Sequence, residues 1–188
     1  MPKGCCRGVR YVALLRGVNV GGKSLIKMSD LKTAVESAGF ANVSTYINSG
    51  NVIFSSGETD KEKLAKTITD TIKQTCNLEI KAVVLSKDDM ATIVKQMPKG
   101  WGSNPEWKYN TLFLIPPYNI RDIIAEIGEL KPDIEILEKG EGALYQAVEF
   151  KAFNRSKTGK LANMHCYKQM TIRNYNTTMK LHALLQAV

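Results

Sequence analysis

Apolar residues come in short bursts with two different periods, and the alternation between the periods orders the elements. Residues 11–15, Tyr-Val-Ala-Leu-Leu, are a continuous apolar run of the length of a buried strand. Leu31, Ala34, Val35 and Ala38 then recur at helical spacing, with Ser29 as the expected N-cap and Gly39 as the stop. Residues 43–47 and 52–55 read as two strands of a hairpin around Asn48, Ser49, Gly50 and Asn51. Leu64, Ile68, Ile72 and Cys76 fall four apart, a single stripe along a helix over residues 61–76. Residues 80–85 are the next strand. The order β-α-β-β-α-β is the ferredoxin-like arrangement, in which two helices cover one face of a four-stranded sheet.

The second half is less regular. Ser86 is the expected N-cap of a helix reaching Lys95, and Pro98, Gly100, Gly102 and Pro105 punctuate the stretch around Trp101 and Trp107. Residues 109–115 read as a strand closed by Pro116 and Pro117, and residues 119–130 as a helix. Residues 134–137 and 143–150 pair as a hairpin around Gly140, Glu141 and Gly142. A basic loop is expected next, then a helix over 176–187 carried by Met179, Leu181, Leu184 and Leu185. The expected class is therefore α+β: a ferredoxin-like unit over residues 9–86, then a second, looser α+β unit over residues 87–188 with a basic C-terminal loop and helix. No sequence repeat is strong enough to assert duplication.

Charge sharpens this picture. The net charge of the 188 residues is +8, and it is unevenly distributed. Residues 1–29 carry Lys3, Arg7, Arg10, Arg16, Lys23 and Lys27 and no acid. No acid follows Glu149, while Lys and Arg continue to Lys180. The middle of the chain is mildly acidic. Two acid-free basic ends imply an anionic partner, a phosphate ligand, nucleotide or nucleic acid.

Four segments have the chemistry to meet such a partner. Residues 17–24 fit G-x-x-x-x-G-K-S, the pattern that wraps phosphates in nucleotide triphosphatases. The context disagrees: residues 25–28 separate Ser24 from the helix, and no apolar strand ends in a metal-holding Asp. A simpler anion role remains open for Arg16, Gly17, Asn19, Gly21, Gly22 and Lys23, against a tight surface loop in which the glycines serve only backbone geometry. Asn48, Ser49 and Asn51 bring amides and a hydroxyl from the hairpin turn, with pure turn chemistry as the competing reading. Residues 155–160 are the densest basic stretch, where Arg155 and Lys157 suit phosphate. Arg173 and Asn174 stand before the last helix, which Thr177 or Thr178 would cap. Tyr175 is placed either to stack on a base or to anchor the loop in the core.

A catalytic set is hard to assemble. There are two histidines, His165 and His182, and neither stands in a triad order, a carboxylate pair or a metal motif. Cys5, Cys6, Cys76 and Cys166 are neither a disulfide framework nor, with His165, a ligand knuckle. No metal site and no cofactor is expected. No apolar run approaches the ~18 residues of a membrane span, and the N-terminus lacks a signal-peptide core, so the expected location is the cytoplasm.

Residues 11–23, 45–55 and 171–181 together resemble the bacterial family called domain of unknown function 1697, and the resemblance spans about residues 9–186. It implies a two-part α+β fold of ferredoxin-like character and no established activity. Similar proteins often have Asn or another non-hydroxyl residue at the position of Ser24, and usually Arg-Asn-Trp at Arg173, Asn174 and Tyr175. Three functional readings stand. The first is binding of a phosphate-bearing ligand or nucleic acid through a basic surface. The second is a small enzyme acting on a nucleotide or phosphorylated substrate. The third is a basic protein-interaction module.

Overall fold

A computed structural model describes residues 8–22 and 24–187. The elements are β1 (Val9–Leu15), α1 (Met28–Ser37), β2 (Ala41–Tyr46), β3 (Asn51–Ser56), α2 (Lys61–Cys76), β4 (Ala82–Ser86), α3 (Lys87–Lys95), β5 (Trp107–Leu114), α4 (Ile120–Ile127), β6 (Glu135–Lys139), β7 (Ala143–Glu149), β8 (Met170–Asn174) and α5 (Tyr175–Gln186). Three 3-10 segments, Phe150–Arg155, Thr158–Asn163 and His165–Gln169, lie between β7 and β8. The chain divides into two compact units. One runs to Met90 and takes in the chain from Leu181, and the other is Ala91–Lys180.

The first unit has strand order β2-β3-β1-β4 with every neighbouring pair antiparallel. This is the ferredoxin-like order, and it follows from the pattern of the chain. Tyr11, Ala13, Leu15, Val52, Phe54 and Val84 alternate onto one face, where Leu31 and Val35 of α1 and Leu64, Ile68 and Ile72 of α2 pack on them. Burying each such Leu or Ile contributes about 1.5–3 kcal/mol. Val12, Leu14 and Ile53, on the alternate positions, are buried too, as the unbroken apolar runs require. Asp60 caps α2 by accepting the N–H groups of Glu62 and Lys63 at 3.0 and 3.1 Å, and Asn77 ends it in the left-handed conformation. Ser86 and Asp89 form a reciprocal cap at the start of α3: the Ser86 Oγ accepts from the Asp89 N–H at 3.1 Å and the Asp89 carboxylate accepts from the Ser86 N–H at 2.8 Å. The expected cap at Ser29 is not formed. Helix α1 already begins at Met28, Lys27 occupies the cap position without a side-chain bond, and the Ser29 hydroxyl turns to Asp30.

The second unit repeats the strand order, β6-β7-β5-β8, again antiparallel throughout. The 3-10 segments stand where the first unit has α2. Leu161 and Cys166 from them pack with Leu112, Leu114, Leu144, Ile123 and Ile127 to close the core. Residues 170–174 correct the expectation of a loop. They are strand β8, with Arg173 opposite Thr111 on β5. The cap of α5 is also corrected: Asn174 Oδ1 accepts the Thr177 N–H at 2.8 Å, whereas Thr177 and Thr178 lie buried inside the helix. On the opposite face of this sheet the Tyr145 hydroxyl donates to the Ile93 carbonyl at 2.6 Å, and Trp101 meets Tyr109 and Tyr145 edge-on.

Candidate functional site

In the first unit the fold brings two of the four expected segments together. Asn19 Nδ2 donates to the carbonyls of Ile26 and Asn48, both at 2.9 Å, and its Oδ1 accepts the Ile26 N–H at 2.9 Å. One amide therefore staples the Gly-rich loop to itself and to the hairpin turn. Gly17, Gly21 and Gly22 all take positive φ, as does Asn19. Arg16 is half-buried, and its N–H donates to the Lys81 carbonyl at 2.8 Å. Asn51 is fully buried and donates to the Tyr46 carbonyl and the Ser49 Oγ, at 2.9 and 3.1 Å. Asn48 is exposed and gives its carbonyl to Asn19. These amides build the turn. Lys23, with Lys3, Arg7, Cys5 and Cys6, lies outside the described residues.

This is not phosphate-loop geometry. Ser24 has φ 49 and is separated from α1 by Leu25, Ile26 and Lys27, and the surrounding sheet is antiparallel. A shallow cleft of about 1210 Å³ does open beside the loop, where Asn19, Asn48, Lys27, Asp30, Thr75 and Cys76 meet apolar Leu25 and Met28.

In the second unit Arg155 and Lys157 sit on an exposed cationic segment, residues 150–169, whose backbone is held from within. Ala152, Ser156, Thr158, Leu161 and Cys166 point inward and are buried, while Lys151, Arg155, Lys157, Lys160 and Lys168 are exposed. Glu135, at the start of β6 and only 1% exposed, is the anchor. Its carboxylate accepts the N–H groups of Lys157 and Thr158 at 3.1 and 2.8 Å and the Thr158 hydroxyl at 2.9 Å. It also accepts the Lys131 N–H at 3.1 Å. Burial alone would raise its pKa, but these donors together hold it below the ordinary carboxylate value. The polar chain continues inward. Gln146 Nε2 donates to the Thr158 carbonyl at 3.0 Å, and Asn110 Nδ2 donates to Gln146 Oε1 at 2.7 Å. Gly159 packs so tightly that a Cβ there would sit on the Phe153 carbonyl. A second carboxylate, Glu126 on α4, accepts the N–H groups of His165 and Cys166. Neither carboxylate was marked by sequence. Glu135 interrupts the apolar stretch 134–137, and that interruption is the one signal that could have found it.

Arg173 and Asn174 are placed differently from the expectation of a surface anion loop. Arg173 is a strand residue with 6% exposure, and its Nη1 donates to the Thr171 hydroxyl and the Ile172 carbonyl, each at 2.9 Å. Burial lowers its pKa to about 10. Its replacement would therefore disturb the fold. Asn174 is committed through Oδ1 to capping α5.

The cations around α2 and those of the segment differ in one respect. On and beside α2, Lys61, Lys63, Lys66 and Lys73 each face an acid, Asp89, Glu58, Asp70 and Glu79, at 2.5 to 2.9 Å. On the segment, Lys151 lies 3.8 Å from Glu106. Arg155, Lys157, Lys160 and Lys168 form no ion pair with the described residues. Two acids that reach the segment, Glu135 and Glu126, accept its backbone N–H groups.

A family model described as "Protein of unknown function (DUF1697)" matches residues 9–145. The chain belongs to the DUF1697 family. A solved structure described as that of the conserved bacterial protein SP0830 from Streptococcus pneumoniae is similar, with 26% sequence identity and a TM-score of 0.84. The likeness covers 95% of this chain and 99% of that one, so the fold just described extends to a relative of this DUF1697 protein. No curated protein matches the chain. Among the described residues, no helix is long and apolar enough to cross a membrane.

Proposed function

We propose that this protein binds a phosphate-bearing polyanion, nucleic acid foremost, through the cationic segment 150–169. The observation that carries the reading is the set of exposed cations, Arg155, Lys157, Lys160 and Lys168, that form no ion pair with the described residues, on a backbone held by the buried carboxylate of Glu135 and by Glu126 at the surface. An unpaired exposed cation keeps its full field for a phosphate, whereas a paired one must first give up its acid. A fixed backbone reduces the ordering cost of binding. A cytoplasmic setting, where nucleic acid is abundant, belongs to this reading.

The test is binding of the purified, nucleic-acid-free protein to short RNA and DNA, single-stranded and duplex, and to common nucleotides at about 50 and 200 mM salt. Oligonucleotide binding that weakens steeply with salt is expected. Saturable binding of a mononucleotide with no binding of any oligomer would overturn the reading in favour of a small-molecule site.

A further inference from the structure

The second unit carries an aromatic cleft beside the cationic segment. It has a volume of about 390 Å³ and is lined by Trp107, Tyr109, Phe150, Tyr175, Asn174 and Asn176, all within that unit. Three features separate it from a gap between core residues. Phe150 is 56% exposed and lines the cleft, so part of its ring is open to a ligand there. Trp107, Tyr109 and Tyr175 are half-buried, with part of each side chain open to solvent.

One ring and the backbone that carries the others are also fixed in place. Tyr175 lies against Gly102, where an added Cβ would stand 2.5 Å from its Cε1, so only glycine lets the ring settle there. The Phe150 N–H donates to the Glu106 carbonyl at 2.9 Å, and Trp107 pairs with Glu149 across the β5–β7 ladder. The Trp107 N–H donates to the Asn104 carbonyl at 3.2 Å, which ties two lining residues together.

The third feature is the amides. Asn174 uses Oδ1 to cap α5, and no bond among the described residues takes its Nδ2. Asn176 is exposed beside it. A side-chain amide next to a ring can meet the hydrogen-bonding edge of a flat heteroaromatic group that stacks on the ring.

We infer that this cleft takes an unpaired nucleobase, which makes the ligand of the cationic segment a single strand. The inference rests on the proposed polyanion reading and deepens it. Phe150 connects the two: it lines the cleft and is also the first residue of the segment, so a strand whose phosphates follow Lys151, Arg155 and Lys157 has a base at the cleft. A duplex keeps its bases stacked on each other and offers the cleft nothing. Lys108, whose Nζ sits 5.0 Å from the centre of the Phe153 ring, adds a cation between the two surfaces.

The experiment compares three probes on the intact protein: a single strand of about 12 nucleotides, an abasic strand of the same length, and the corresponding duplex. The expected result is about tenfold tighter binding of the base-bearing strand than of the abasic strand. Phe150→Ala, at an exposed position that leaves the fold intact, should abolish that preference while the abasic strand binds as before. Equal affinity for base-bearing and abasic strands overturns the cleft and leaves the polyanion reading standing, and so does a preference that survives Phe150→Ala. Binding of the base-bearing strand with none of the abasic strand supports the cleft and removes the cationic segment from the account. Absence of binding to all three probes overturns both.

Discussion

The Glu135 carboxylate accepts both the backbone N–H and the hydroxyl of Thr158, at 2.8 and 2.9 Å. A buried anion thereby holds a segment rich in exposed cations without forming an ion pair with their side chains. Its charge is balanced by backbone dipoles, and the cationic side chains of the same segment stay in solvent.

Glu135→Gln puts an NH₂ group against donors and should cost about 2–4 kcal/mol, read as a lower denaturation midpoint. The pH dependence has a definite sign. The folded pKa lies below the ordinary 4.5, so the contribution is complete above that value and is lost as pH falls through the folded pKa. Wild type should lose stability below about pH 4.5, with a shallower acid limb in Glu135→Gln. Parallel acid limbs would show that Glu135 is not an anchor.

Asn19→Ala removes three hydrogen bonds and leaves a non-glycine residue at φ 54. A loss of about 1–3 kcal/mol is expected, with faster amide exchange at Ile26. Asn19→Gly relieves the backbone and not the bonds, so the difference between the two variants isolates the conformational part.

Ile47 has φ 49, a left-handed conformation that a β-branched residue rarely takes, and it is 47% exposed. Ile47→Asn relieves the strain at little cost in buried area. It should raise stability by about 0.5–1 kcal/mol in urea unfolding.

Cys166 is 1% exposed, and burial, reinforced by Glu126, pushes its thiol pKa up to about 11. Cys76 is half-buried and lines the cleft of the first unit. Alkylation of the native protein near neutral pH, read by peptide mass, should label Cys76 well before Cys166. Labelling of Cys166 at a comparable rate would mean that the 3-10 segment opens readily.

How far the sequence could be read depended on period. The first unit was legible because Leu64, Ile68 and Ile72 keep a clean helical stripe and residues 11–15 an unbroken apolar run. The second unit hid its matching strand order for two reasons. Strand β8 is five residues long and contains Arg173 and Asn174, so it looks like a loop until β5 pairs with it. The segment that replaces α2 is wound into 3-10 turns, whose inward positions, Ala152, Ser156, Thr158 and Leu161, follow no helical period. Of the candidate site, Arg155 and Lys157 were legible as exposed cations. Asn19, Asn51 and Asn174 turned out to be bound to the backbone, a role that residue type alone does not separate from ligand binding.

The most direct test compares wild type with a variant carrying R155A, K157A, K160A and K168A, titrated with one single-stranded oligonucleotide across a salt series. A variant carrying K61A, K63A, K66A and K73A removes the same charge from cations that already face acids. The expected result is that the segment variant loses most of its affinity, with a log K against log salt slope reduced by about 0.7 for each lost phosphate contact, while the control changes far less. Equal loss in the two variants would mean that overall charge, not the segment, governs binding and would contradict the assignment.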